Sequence, residues 1–200
     1  MKRRALFVAA ALLASFGVFT AARGAYIYAK AELAQLLIHR AWVAAMATGE
    51  PARPWPWADT YPVGRLGFPD RRVELFVLEG GSGRTLAFGP GHVAGTAEPG
   101  KHGNVGIAGH RDTHFRFLAD LRKGDVLLLE SPEGDLIDYV VSSLRIVDKS
   151  DGAILRDQGD DRLTLVTCYP FDAIQAGGPQ RYVVTALRTT PVVDRTRKAE

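Results

Sequence analysis

Arg162-Leu163-Thr164-Leu165-Val166-Thr167-Cys168-Tyr169-Pro170 is the stretch on which the reading of this chain turns. Leu163 and Leu165 alternate with Thr164, Val166 and Thr167, and a period of two rich in β-branched residues marks a strand with one face on a core. Pro170 has no N–H to give to a ladder, so the strand stops there and Cys168 stands where strand meets loop. A strand end is a rigid place from which to present a reactive side chain. Cys168 is the only cysteine in 200 residues. It has no partner for an intramolecular disulfide and no companion cysteines for a structural zinc site. A buried apolar thiol, an intermolecular bridge and a reactive thiolate all stay open on composition alone.

Outward from this strand the texture is the same: short β-rich runs broken by Gly, Pro and Asp. The expected strands are Val63–Phe68, Val73–Leu78, Thr85–Phe88, Asn104–Gly109, Asp125–Glu130, Leu136–Val147, Arg162–Cys168 and Arg181–Arg188. Eight such runs predict a mainly β domain, a small barrel or sandwich. Between two of them, Asp112 to Leu121 carries Phe115, Leu118 and Leu121 on one face, the spacing of a short inserted helix.

Ahead of the β region the character changes. Lys2, Arg3 and Arg4 precede Ala5 to Ala22, eighteen uncharged and mostly apolar residues, about the minimum for a membrane span at ~1.5 Å rise per residue. Positive charge before the span keeps that end in the cytoplasm and sends the rest outward. The run is longer than the apolar core of a cleaved signal peptide, which favours an anchor. Arg23 to Thr48 continues without Pro, with Ile27, Ala31, Ala34, Leu37, Ile38, Ala41, Ala44 and Ala45 on a helical repeat that Gly49 and Pro51 stop. Pro51 to Pro62 then holds four prolines and two tryptophans in twelve residues, an extended strap. The expected organisation is an anchor over 1–22, a helical stalk and linker over 23–60, a folded domain over 61–190 and a charged tail over 191–200.

The net charge of +3 comes from the extreme N-terminus: without Lys2, Arg3 and Arg4, 22 basic residues balance 22 acidic ones. Nucleic acid needs clustered, uncompensated cations, so it is not an expected partner. No acidic cluster suggests a metal, and no cofactor is expected.

Two further positions matter beside Cys168. His110 ends the glycine-rich run Gly103-Asn104-Val105-Gly106-Ile107-Ala108-Gly109, and an imidazole there can hold or pass the proton that a thiol nucleophile exchanges. Arg181 opens the last strand, after Gly177-Gly178-Pro179; if the last two strands are neighbours, Cys168 and Arg181 face each other across a shared mouth. A fixed cation there can stabilise an oxyanion or favour the thiolate.

Taken jointly, Gly109-His110-Arg111-Asp112, Thr164-Leu165-Val166-Thr167-Cys168 and Arg181-Tyr182-Val183-Val184, in that order, resemble the sortases, the cysteine transpeptidases of bacterial envelopes. Gly95-Thr96-Ala97-Glu98-Pro99-Gly100, Lys123-Gly124-Asp125 and Tyr169-Pro170-Phe171 also match, so the likeness runs from about Val63 to Arg188. His-Arg-Asp-Thr and Thr-Cys-Tyr-Pro-Phe look closest to class D and to the Gram-negative relatives. Papain-type proteases place Cys before His, the reverse of His110 and Cys168, and the Ser-x-Gly-Cys of L,D-transpeptidases is missing. A non-catalytic envelope module of the same fold is the remaining alternative.

The resemblance implies an eight-stranded β-barrel with short inserted helices behind a transmembrane helix. It implies that Cys168 attacks the Thr carbonyl of a C-terminal sorting signal similar to Leu-Pro-x-Thr-Gly and forms a thioester. Arg181 is then the residue that holds the carbonyl oxygen, His110 the acid for the leaving amine and the base for the incoming one, and Thr167 a support for substrate or oxyanion. The implied partners are a membrane-bound client protein and an amine acceptor in the envelope, with hydrolysis as the side reaction.

Overall fold

A 47-residue helix, α1 (Lys2–Thr48), carries the apolar run and the Ala-rich repeat without a break. The computed structural model describes residues 2–175 and 177–189, so the charged tail expected over 191–200 lies outside the described residues. By its contacts the chain divides into Met1–Leu37 and Ile38–Glu200. In the first unit Leu6, Phe7, Leu12, Leu13, Phe16 and Phe19 are all exposed. A helix apolar on every side is one that another phase or partner covers, and it is long and apolar enough to cross a membrane. In the second unit the helix is amphipathic: Ile38, Ala41, Trp42 and Ala45, at positions i, i+3, i+4 and i+7, are buried. His39 and Trp42 lie 5.7 and 6.3 Å from the Phe76 ring. Gly49 ends α1 with φ of 73° and an N–H bond to Ala45 O, the left-handed terminus for which glycine is suited.

The strap over Pro51–Pro62 is docked rather than free. Pro54 and Ala58 are buried, the Trp55 ring meets Phe88 edge-on at 5.2 Å, and Thr60 Oγ1 donates to Glu79 O at 2.7 Å.

Eight strands follow: β1 (Pro62–Phe68), β2 (Val73–Glu79), β3 (Gly91–His92), β4 (Asn104–Ala108), β5 (Val126–Glu130), β6 (Leu136–Asp148), β7 (Arg162–Tyr169) and β8 (Gln180–Arg188). They close into a barrel in the order β1-β2-β3-β4-β7-β8-β6-β5, which leaves no open edge. The expected barrel is therefore the one that forms. Pairing is antiparallel except for β2 with β3 and β4 with β7. Leu66, Val105, Ile107, Leu127, Leu129, Leu163, Leu165 and Val184 fill the interior and are fully buried. Tyr139 is buried among them, and desolvation pushes its phenol up to about 12.

One expectation needs correction. Thr85–Phe88 is not a strand; the segment opens as the short helix α2 (Gly83–Leu86), whose start is capped by Ser82 accepting from the Thr85 N–H at 3.1 Å. That local cap outweighs the β-branched and aromatic content of the run, and the third strand falls instead at Gly91–His92. A Cβ at Gly91 would stand 2.1 Å from Gly80 O, so only glycine lets β3 enter there. The short helix expected within Asp112 to Leu121 forms as a 3₁₀ helix at Arg116–Asp120 with turns before it. Phe115, Leu118 and Leu121 are buried, and their spacing of three is the 3₁₀ period, not 3.6.

Candidate active site

The site is assembled by three adjacent strands, with β7 between β4 and β8. Along β7, Leu163, Leu165 and Thr167 are buried toward the interior while Val166 and Cys168 are less covered. The period of two thus turns the Cys168 side chain to the outer face. On one side, β8 runs antiparallel and Cys168 and Arg181 are direct partners across the ladder. Side chains directly opposite on one face have Cβ atoms about 4.5–5.5 Å apart. On the other side, β4 runs parallel, with Ala108 opposite Val166. His110 lies two residues beyond Ala108, as Cys168 lies two beyond Val166, although 58 positions separate them in the chain.

Past the last β4–β7 pair, individual bonds continue the contact. The Gly109 N–H donates to Val166 O at 3.1 Å, and Thr167 Oγ1 donates to Gly109 O at 2.8 Å. The Thr167 side chain is 2% exposed and committed to that bond, so it holds the turn that carries His110. Gly109 has no room for a side chain: a Cβ would meet the Phe115 ring at 2.7 Å. Cys168 is a free thiol, partly buried. Arg181 Nη1 donates to Gly178 O and Gln180 O, both at 2.8 Å, which fixes the guanidinium at the β8 end of the mouth.

His110 itself is exposed. Four residues on, His114 is half-buried, and desolvation, with the positive charge of His110 second, holds its imidazole below the usual range. Arg111 is a residue that sequence reasoning quoted only as part of a motif. It is 5% exposed, donates from Nη1 to Pro170 O and from Nη2 to Ala173 O at 2.8 Å, and forks onto Asp112 through Nε at 2.8 Å and Nη2 at 3.2 Å. That fork outweighs desolvation, which acts the other way, and holds the Asp112 carboxyl below its ordinary range. Only burial of a cation beside the pair could have flagged Arg111, and burial is not written in composition.

The outer faces of β4 and β7 continue away from Cys168 as a walled surface. Thr164 Oγ1 donates to Asn104 Oδ1 at 2.7 Å, and Asn104 Nδ2 donates to Ile154 O and Arg156 O, which ties the 149–161 segment against these strands. Between them Gly106 would, with a Cβ, meet Leu155 Cδ2 and Thr96 Cγ2 at 2.9 Å. A separate cleft of about 380 Å³, lined by Tyr61, Glu79, His92, Glu98 and Glu133, includes none of His110, Thr167, Cys168 or Arg181. Among the described residues no group of three or more His, Cys, Asp or Glu side chains could hold a metal ion.

Comparison with known proteins places the domain in a family. The family model for the sortase domain matches residues 66–189. Sortase D of Bacillus subtilis is 37% identical over 128 residues, which cover 64% of this chain and 64% of that protein's own length. A sortase D5 transpeptidase of Clostridium perfringens superimposes with a TM-score of 0.57 at 27% identity, covering 65% of this chain and 80% of the other. Sortase C-1 of Actinomyces oris gives a TM-score of 0.58 at 32% identity over 65% and 75% of the two chains.

Proposed function

The chain belongs to the sortase family, with its likeness to class D supported by the Bacillus subtilis relative, and from that premise we propose that it is a membrane-tethered cysteine transpeptidase. The observation that supports the reading is the strand register: Cys168 is paired with Arg181 across β7–β8, and His110 follows two residues after the last β4–β7 pair, Ala108 with Val166. In the proposed reaction the Cys168 thiolate attacks the carbonyl carbon of Thr in a sorting signal of the Leu-Pro-x-Thr-Gly type. The carbonyl electrons move onto oxygen, where Arg181 stabilises the charge. Collapse of the tetrahedral species breaks the C–N bond, and His110 as imidazolium protonates the leaving Gly amine. His110, now neutral, takes a proton from the incoming amine as that amine attacks the thioester and releases Cys168. Water in place of the amine gives hydrolysis. Thr167 supports the substrate end through the turn that its hydroxyl holds.

The proposed topology is a single pass, with Lys2, Arg3 and Arg4 inside and the domain over 61–190 on the outer face of the membrane. The anchor over 1–22 and the stalk and strap over 23–60 keep the catalyst beside clients held in the same bilayer, which raises their effective concentration. Cys168→Ala is expected to abolish cleavage of a fluorogenic sorting-signal peptide, and mass spectrometry of the wild type with substrate to find an acyl adduct on Cys168. Turnover by Cys168→Ala removes the nucleophile assignment. A wild type with no turnover and no adduct turns the protein into a binding module of the same fold.

A further inference from the structure

The β4–β7 ladder stops at Ala108 and Val166, yet the residues proposed to react lie beyond it, His110 on one chain segment and Cys168 on the other. Something must hold these two ends at a constant separation, because misplacing reacting groups by about 1 Å costs on the order of 10²-fold in rate. Gly109 N–H and Thr167 Oγ1 extend the contact by one residue. Beyond them, among the described residues, the hydrogen bonds between the two segments come from one side chain. Arg111, next to His110, sends Nη1 to Pro170 O and Nη2 to Ala173 O, across 59 and 62 positions of sequence. These are the carbonyls of the turn that starts two residues after Cys168, a turn closed by the Ala173 N–H on Pro170 O at 3.4 Å. The far edge of the same guanidinium forks onto Asp112, which orients it.

We propose that Arg111 is a positioning residue for the reaction, a side-chain continuation of the β4–β7 pairing that fixes His110 against Cys168. The role needs a guanidinium. Its planar fork reaches two carbonyls and a carboxylate at once, whereas an ammonium is a point donor on a flexible stem and cannot hold that geometry.

The inference rests on the proposed pairing of His110 with Cys168, so the experiment separates the two. Full-length protein in detergent micelles is assayed as wild type, Arg111→Lys and Arg111→Gln on a Leu-Pro-x-Thr-Gly peptide, with Arg84→Gln as control; Arg84 is exposed and meets Asp59 at 3.5 Å. In Arg111→Lys, kcat is expected to fall on the order of 10²-fold with KM little changed and the thermal midpoint held, the pattern of an interaction expressed in the chemical step. In Arg111→Gln, alkylation of Cys168 by iodoacetamide at one fixed pH, which needs no peptide, is expected to slow several-fold while Arg84→Gln matches the wild type. Wild-type kcat in Arg111→Lys, or a loss equal to the loss of folded protein, overturns the inference while leaving the proposed function in place. A wild type that cleaves no peptide, with alkylation still slowed in Arg111→Gln, overturns the substrate reading and supports the link between Arg111 and Cys168.

Discussion

Cys168 owes its setting to its neighbours on both sides, Arg181 across β8 and the His110 turn beyond β4. Polar residues far from it are equally specific about which chain segments meet. Asp161 accepts from the Gly103 N–H at 2.9 Å, stands 2.8 Å from His102 Nδ1, and lies 3.5 Å from Arg188. The Gly103 bond first, then His102 and Arg188, holds its carboxyl below the ordinary range. A carboxyl whose folded value is depressed binds fewer protons in the folded state, so its stabilisation is present above the unfolded value of about 4 and is lost as pH falls through the folded value. Asp161→Asn should therefore lower unfolding stability at neutral pH, and this penalty should shrink from about pH 5 to about pH 2. Denaturant melts across that range check it; a penalty independent of pH would show that the carboxylate charge plays no part.

At the scale of elements, the strands with the cleanest alternation, β7 and β8, were legible to within a residue or two of their ends, because a period of two is a local property. The failure at Thr85–Phe88 has a local cause as well. Ser82 offers its hydroxyl to the Thr85 N–H and starts a helical turn, which the β-forming side chains do not prevent. Ser82→Ala is expected to cost about 1 kcal/mol by removing this cap; an unchanged denaturation midpoint would mean that α2 does not depend on it. The 3₁₀ helix at Arg116–Asp120 was visible as a short helix with one buried face, and only its pitch stayed open, since three apolar positions at intervals of three fit both helix types over so short a run.

For the whole molecule, the division between Met1–Leu37 and Ile38–Glu200 predicts separable roles. A chain beginning at Ile38 should keep the thermal midpoint of the barrel and turn over a soluble sorting-signal peptide within a few-fold of the full chain. On a client anchored in the same bilayer it should lose on the order of 10²-fold, the advantage of a shared membrane; equal rates on the anchored client would remove the tethering argument. By itself the sequence determined the apolar helix, the β character, the strand that carries Cys168 near its end, and, through the joined His110, Cys168 and Arg181 motifs, the family. Those are properties of adjacent residues or of ordered motifs, and they survive without coordinates. Only the tertiary structure decided that β4 lies parallel to β7, that Thr167 spends its hydroxyl on Gly109 O, and that Arg111 spans to Pro170 and Ala173. The physical reason is that barrel closure joins segments some 60 positions apart, and the acceptors at those junctions are backbone carbonyls, which every residue has and which therefore leave no mark on a sequence.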